Sequence, residues 1–86
     1  MIEGKTKSGF EYSIEEYKLD NWELLEVLNE LGDSPNKIVS VLPYLFDEEQ
    51  IKALKEHNRD KKTGVVTASG MTADIMDIFK NNKAKN

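Results

Sequence analysis

Two capping boxes fix where this chain starts its helices, and the rest of the sequence has to fit around them. In the first, Asp20-Asn21-Trp22-Glu23, Asp20 is the expected N-cap, with Glu23 three residues on and Leu19 and Leu24 at the positions of a hydrophobic staple. In the second, Asp47-Glu48-Glu49-Gln50, the pattern recurs, with Phe46 and Ile51 as the staple. The first box predicts a helix over 21–31 that stops at Gly32, and the second a helix over 48–57. At 100° per residue, Leu24, Val27, Leu28 and Leu31 share one arc of about 100°, the expected core stripe. Glu23, Glu26 and Glu30 make an opposite, acidic face. Trp22 and Leu25 fall outside the core stripe, so the apolar arc is wider than a core requires. That width has two readings, packing against a neighbouring ribbon or a surface kept for a partner.

Ahead of the first box, Phe10, Tyr12 and Ile14 alternate with Glu11, Ser13 and Glu15, the period of a half-buried strand. The chain reads as extended from Ile2 to about Lys18, with a turn at Ser8-Gly9 and residues 2–5 as the other arm of a hairpin. A two-stranded ribbon is marginal alone, so its apolar face must pack on the helices. Between the boxes, Ser34-Pro35 opens a short helix over 35–42. Pro43 interrupts it, giving a kink or tight turn through Tyr44-Leu45-Phe46. In the helix over 48–57, Ile51 and Leu54 face inward, and Glu48 and Lys52 have the spacing of an ion pair. Residues 58–64 form a polar loop, and Val65-Val66-Thr67 a short extended stretch. A last helix starts at Ser69 or Thr72, with Thr72 the better N-cap, and carries Met71, Ile75, Ile78 and Phe79 on one face. The expected fold is α+β, mainly α: an N-terminal β-hairpin packed on three to four short helices, a single domain over 1–80 and a disordered tail over 81–86.

Composition narrows the function classes. A chain of 86 residues without cysteine carries no disulfide scaffold, thiol nucleophile or iron–sulfur ligand. No apolar run approaches the roughly 18 residues of a membrane span, and MIEGKTKSGF has no signal-peptide core, so a cytoplasmic location is expected. The net charge of −4 is uneven: residues 19–57 hold three bases against nine acids, and residues 58–86 six bases against three acids. An acidic middle repels a phosphate backbone, so neither nucleic acid nor membrane is an expected partner.

The chemistry-bearing residues form no catalytic motif. His57 is the sole histidine, expected at the exposed end of a helix near the negative end of its dipole. Asp47-Glu48-Glu49 lacks the ligand spacing of a calcium loop, no glycine pattern cradles phosphate, and no serine sits in a nucleophile elbow. No cofactor, no metal and no enzymatic activity are expected, which leaves a binding or assembly role.

The order of these signals carries a resemblance. A Ser-Gly-Phe-Glu-Tyr strand precedes an Asp-Asn-Trp-Glu-Leu-Leu-Glu helix start, then a short helix and an Asp-Glu-Glu-Gln-Ile-Lys-Ala-Leu-Lys-Glu-His start. An Arg-Asp-Lys-Lys-Thr-Gly turn, a valine pair and a helix ending Asp-Ile-Met-Asp-Ile-Phe-Lys follow. Over residues 8–80 this resembles the small tail assembly chaperones of long-tailed bacteriophages and prophages of Gram-positive bacteria. The resemblance implies a non-enzymatic protein in the host cytoplasm that binds the tape-measure protein, recruits tail-tube subunits and leaves before the virion is complete. On this reading the partner surface is Trp22, Leu25, Tyr44, Leu45 and Phe46, which engages tape-measure helices or self-associates along them. The competing expectation is a phage or mobile-element regulator that inhibits a host protein by presenting Glu23, Glu26 and Glu30 to a basic groove.

Overall fold

A computed structural model describes residues 1–82. Its elements run β1 (Ile2–Lys5), β2 (Glu11–Ile14), α1 (Glu16–Leu19), α2 (Trp22–Glu30), a 3₁₀ helix (Pro35–Val41), α3 (Leu42–Leu45), α4 (Glu48–His57) and α5 (Ala68–Asn82). The fold is α+β and mainly helical, with the hairpin at the N-terminus. The strands are antiparallel, in the register Ile2 to Ile14, Glu3 to Ser13, Gly4 to Tyr12 and Lys5 to Glu11. Their loop closes through Thr6 N–H to the Phe10 carbonyl at 2.9 Å and Gly9 N–H to the Thr6 carbonyl at 3.0 Å. Gly9 sits at φ 97°, a left-handed conformation that a Cβ would penalise.

The strand alternation holds: Phe10, Tyr12 and Ile14 are buried and Glu11 is exposed. They join Leu24, Val41, Leu42, Leu45, Phe46, Leu54, Ile75 and Ile78 in one hydrophobic cluster, to which Leu19, Val27, Leu28 and Ile51 add partly buried contacts. Every helix and strand except β1 and α1 thus contributes a buried apolar residue, and Phe10 and Phe46 add two from the connections. β1 is held between β2 and α5.

Several expected boundaries shift, each for a local reason. The extended segment ends at Ile14, and residues 16–19 form α1, a single turn too short to show a period. The N-cap of α2 is Asn21 instead of Asp20, its side-chain oxygen accepting the Glu23 N–H at 2.9 Å. α2 ends in successive turns, with Asp33 and Ser34 N–H both bonded to the Glu30 carbonyl, and Gly32 does not enter the left-handed region. Pro43 does not break a helix. It occupies the first turn of α3, where its missing N–H is not needed, after a 3₁₀ segment over 35–41.

The second box is sharper. α4 spans Glu48–His57, and Asp47 Oδ1 accepts the Gln50 N–H at 2.9 Å. The anticipated Glu48–Lys52 pair does not form; among the described residues the ion pairs are Lys37–Glu30 and Arg59–Glu56. Val65–Thr67 does not extend the ribbon, and Val66 makes only an isolated antiparallel bridge to Arg59. α5 starts at Ala68, earlier than expected, because Thr67 Oγ1 accepts the Gly70 N–H at 3.2 Å and displaces Thr72 as the cap. Asn81 and Asn82, expected in a disordered tail, lie in α5 and donate to the Tyr12 hydroxyl at 3.3 and 3.4 Å. The rest of that tail, 83–86, lies outside the described residues.

Candidate functional site

α2 lies on the 3₁₀ helix with Leu24 fully buried, which turns the opposite side of α2 outward. Trp22 is 74% exposed and Leu25 49% exposed, one helical turn apart on that outer side. The hairpin therefore does not cover them. The remaining expected surface residues behave differently. Leu45 and Phe46 are core residues, because α3 continues where a turn was anticipated and rolls them inward, and Tyr44 is half-buried against the same core. Leu45 and Phe46 are not available to a partner while the domain is folded.

Glu23, Glu26 and Glu30 are all exposed. Glu30 pairs with Lys37 of the 3₁₀ helix, so part of the acidic face is compensated within the chain.

On another part of the surface a groove of about 710 Å³ opens between the 3₁₀ helix, the end of α4 and the start of α5. Leu42 and Ile75 make its floor, and Ile38, Val39, Val66 and Met71 its walls. The volume lies within the roughly 300–1,000 Å³ typical of binding pockets. Lys55 and Arg59 stand at its rim, and none of its lining residues is acidic. Sequence reading missed it, since its walls come from three segments whose apolar residues each look like ordinary core. By contrast, a depression of about 520 Å³ beside the hairpin carries both signs of charge in its lining, with Lys18 among Glu15, Asp47 and Glu49.

A polar cluster ties the hairpin tip to the helices. The Ser8 hydroxyl donates to Asp74 Oδ1 at 2.7 Å, and Asn58 Nδ2 donates to Asp74 Oδ2 at 2.9 Å. His57 Nε2 lies 3.0 Å from Ser8 Oγ, and Thr6 Oγ1 lies 2.9 Å from it. Ser8 has one proton and gives it to Asp74, so it accepts from both His57 Nε2–H and Thr6. Folding thus places the Ser8 hydroxyl, 49 residues away in the chain, beside His57. In a catalytic triad the imidazole stands between serine and carboxylate and takes the serine proton. Here the serine stands in the middle and its proton points at the carboxylate, so the cluster acts as a clamp. The His57 ring also lies 5.6 Å from that of Phe10.

Across the loop over 58–64, Arg59 grips the Glu56 carboxylate through Nε at 3.1 Å and Nη2 at 2.6 Å, and donates through Nη1 to the Gly64 carbonyl at 2.6 Å. This hydrogen bond holds the Glu56 carboxyl below its ordinary value and raises the Arg59 guanidinium. Among the described residues no cluster of three or more potential ligands is placed to hold a metal ion, and no helix is long and apolar enough to cross a membrane. Comparison with protein-family models, curated proteins and solved structures finds no match to this chain.

Proposed function

We propose that this protein is a non-enzymatic tail assembly chaperone of a long-tailed bacteriophage, acting in the cytoplasm of a Gram-positive host. It covers apolar helical segments of the tape-measure protein, recruits tail-tube subunits and departs before the tail is complete. The observation that carries this reading is the outward side of α2, where Trp22 and Leu25 present apolar surface that the domain leaves uncovered. The order of strand, capping boxes and closing helix over residues 8–80 supports the same family of roles.

The energetics suit a transient helper. Covering Trp22 and Leu25 removes on the order of 200 Å² of apolar surface from water, worth about 5 kcal/mol before costs. Association itself costs about 4–15 kcal/mol, so one contact of this size binds weakly. Many copies along one long client gain by effective concentration, yet each is released easily. The net charge of −4 keeps such a coated complex in solution.

Co-expression with the tape-measure protein tests this. The wild-type chain keeps the client soluble, and a Trp22→Ala, Leu25→Ser variant that remains folded does not. Equal solubility with both would overturn the reading. The alternative, a regulator acting through its acidic helix face, is left with Glu23 and Glu26, since Glu30 is already paired with Lys37.

A further inference from the structure

The two edges of the ribbon are treated differently by the fold. Thr6 N–H bonds the Phe10 carbonyl, and the register continues that pairing to Gly4 with Tyr12 and Ile2 with Ile14. Hydrogen bonding alternates along an antiparallel pair, so the backbone groups of Glu3, Lys5, Glu11 and Ser13 point away from the neighbouring strand. On the β1 side α5 lies against the edge, and Asn81 donates to the Lys5 carbonyl at 3.4 Å. On the β2 side no strand follows. There the Ser13 carbonyl accepts from the Gln50 side-chain amide at 3.2 Å, which stands in for the N–H of a third strand. Glu11 N–H, Glu11 C=O and Ser13 N–H have no hydrogen-bond partner among the described residues.

β2 has neither the proline nor the bulge that blocks an edge, so what guards it is charge, and that charge is mostly of one sign. Two depressions run beside the edge and meet at Ser13 and Gln50, one of about 490 Å³ along the ribbon and the one of about 520 Å³ against α4. Their linings hold the carboxylates Glu3, Glu11, Glu15, Asp47 and Glu49 against two lysines. None of these carboxylates belongs to an ion pair among the described residues.

We infer that the open edge of β2 takes an extended, basic peptide segment of a partner protein as a third strand, with lysine or arginine at alternate positions. The main chain of the segment pairs with Glu11 and Ser13, one of its N–H groups replaces the Gln50 amide on the Ser13 carbonyl, and its cations meet the carboxylates of the lining. Charge sets the sign of the occupant. An acidic strand, or β2 of a second copy, would bring carboxylates against carboxylates, and like charges facing one another oppose association. A helical segment cannot use the edge, because its backbone groups are already bonded to one another. The edge shares no residue with the Trp22–Leu25 face, so this site goes beyond the proposed function and does not depend on it.

The test is an NMR titration of the isotope-labelled protein with a blocked synthetic peptide of alternating lysine and threonine, about six residues long as strands commonly are. The Glu11 and Ser13 amide resonances are expected to shift saturably, and their hydrogen exchange to slow. The same peptide with glutamate in place of lysine is expected to bind at least about tenfold more weakly, a loss of ~1.4 kcal/mol. Ser13→Pro removes an outward N–H that the fold does not use, a change an edge strand tolerates, and is expected to weaken binding at least about tenfold. Glu11→Gln with Glu49→Gln, both at exposed positions, keeps every backbone group and is expected to weaken binding at least about threefold, so the inference is tested even where the proline variant does not fold. No saturable binding of the lysine peptide, equal binding of the glutamate peptide, or binding that leaves the Glu11 and Ser13 amides unmoved would each overturn it. So would a folded variant of either kind that binds like the wild type.

Discussion

Asp74 on the last helix accepts a 2.7 Å hydrogen bond from Ser8 at the tip of the hairpin, across a separation of 66 residues. Asp74 is 1% exposed, and its second oxygen takes the Asn58 amide. A buried carboxylate held by two donors is costly to disturb, because hydrogen bonds to a charged acceptor are the strong ones and its removal takes away two of them. Asp74→Ala is expected to destabilise the domain by about 2–3 kcal/mol, a fall in Tm of roughly 8–24 °C at this chain length. Calorimetry checks it, and Ser8→Ala, which leaves Asn58 in place, is expected to cost less.

Gly4 faces Tyr12 across the ribbon, and the aromatic ring lies where a Cβ on Gly4 would stand. Gly4→Ala has to displace a ring that is 5% exposed and whose hydroxyl accepts from Asn81 and Asn82. Overpacking of this kind costs about 1–3 kcal/mol. Gly32 gives the contrast, with nothing near its missing Cβ and no positive φ. Gly32→Ala is expected to be neutral or to stabilise by up to about 1 kcal/mol, as reduced freedom of the unfolded chain dictates. Urea titration of the two variants measures the difference.

The cap of α2 separates two adjacent residues. Asn21→Ala is expected to cost about 1 kcal/mol through loss of the bond to Glu23 N–H, while Asp20→Ala leaves that bond intact and stays within about 0.5 kcal/mol of the wild type. Equal costs in chemical denaturation would contradict the assignment.

The Arg59 hydrogen bond depresses the Glu56 carboxyl in the folded state, so the native protein binds fewer protons there than the unfolded chain does. The pair's contribution is therefore fully present above the unfolded carboxyl value and is lost as pH falls through the lowered folded value. Both groups are on the surface, so the effect is small and salt-sensitive. In Arg59→Gln, the Glu56 titration followed by carboxyl carbon NMR is expected to move back up; an unchanged midpoint would contradict the pairing.

What was legible in the sequence was local. Asp47 and Gln50 sit three residues apart, and their bond is formed within one turn, so the start of α4 could be read directly. The alternation of Phe10, Tyr12 and Ile14 likewise reports one face of one strand. The start of α5 is ambiguous in sequence because two threonines compete, and Thr67 prevails because its own N–H is held by the Asn58 carbonyl across the loop, at 3.1 Å, while its hydroxyl caps the Gly70 N–H. Leu45 and Phe46 looked like surface because Pro43 reads as a breaker, whereas the preceding 3₁₀ turn makes it a helix starter. One signal for the polar clamp was present and unused: Asp74 lies on the same helical face as Ile75 and Ile78, and a carboxylate in an apolar stripe calls for donors from elsewhere. Which donors they are depends on contacts far apart in sequence.

Trp22 is the sole tryptophan of the chain, so its fluorescence reports the proposed binding face directly. The decisive measurement is its emission before and after addition of the tape-measure protein. The account predicts the red-shifted emission of a solvent-exposed indole in the free chain and a blue shift, with protection from acrylamide quenching, in the complex. A complex that forms while the emission and quenching of Trp22 remain those of the free chain would contradict it.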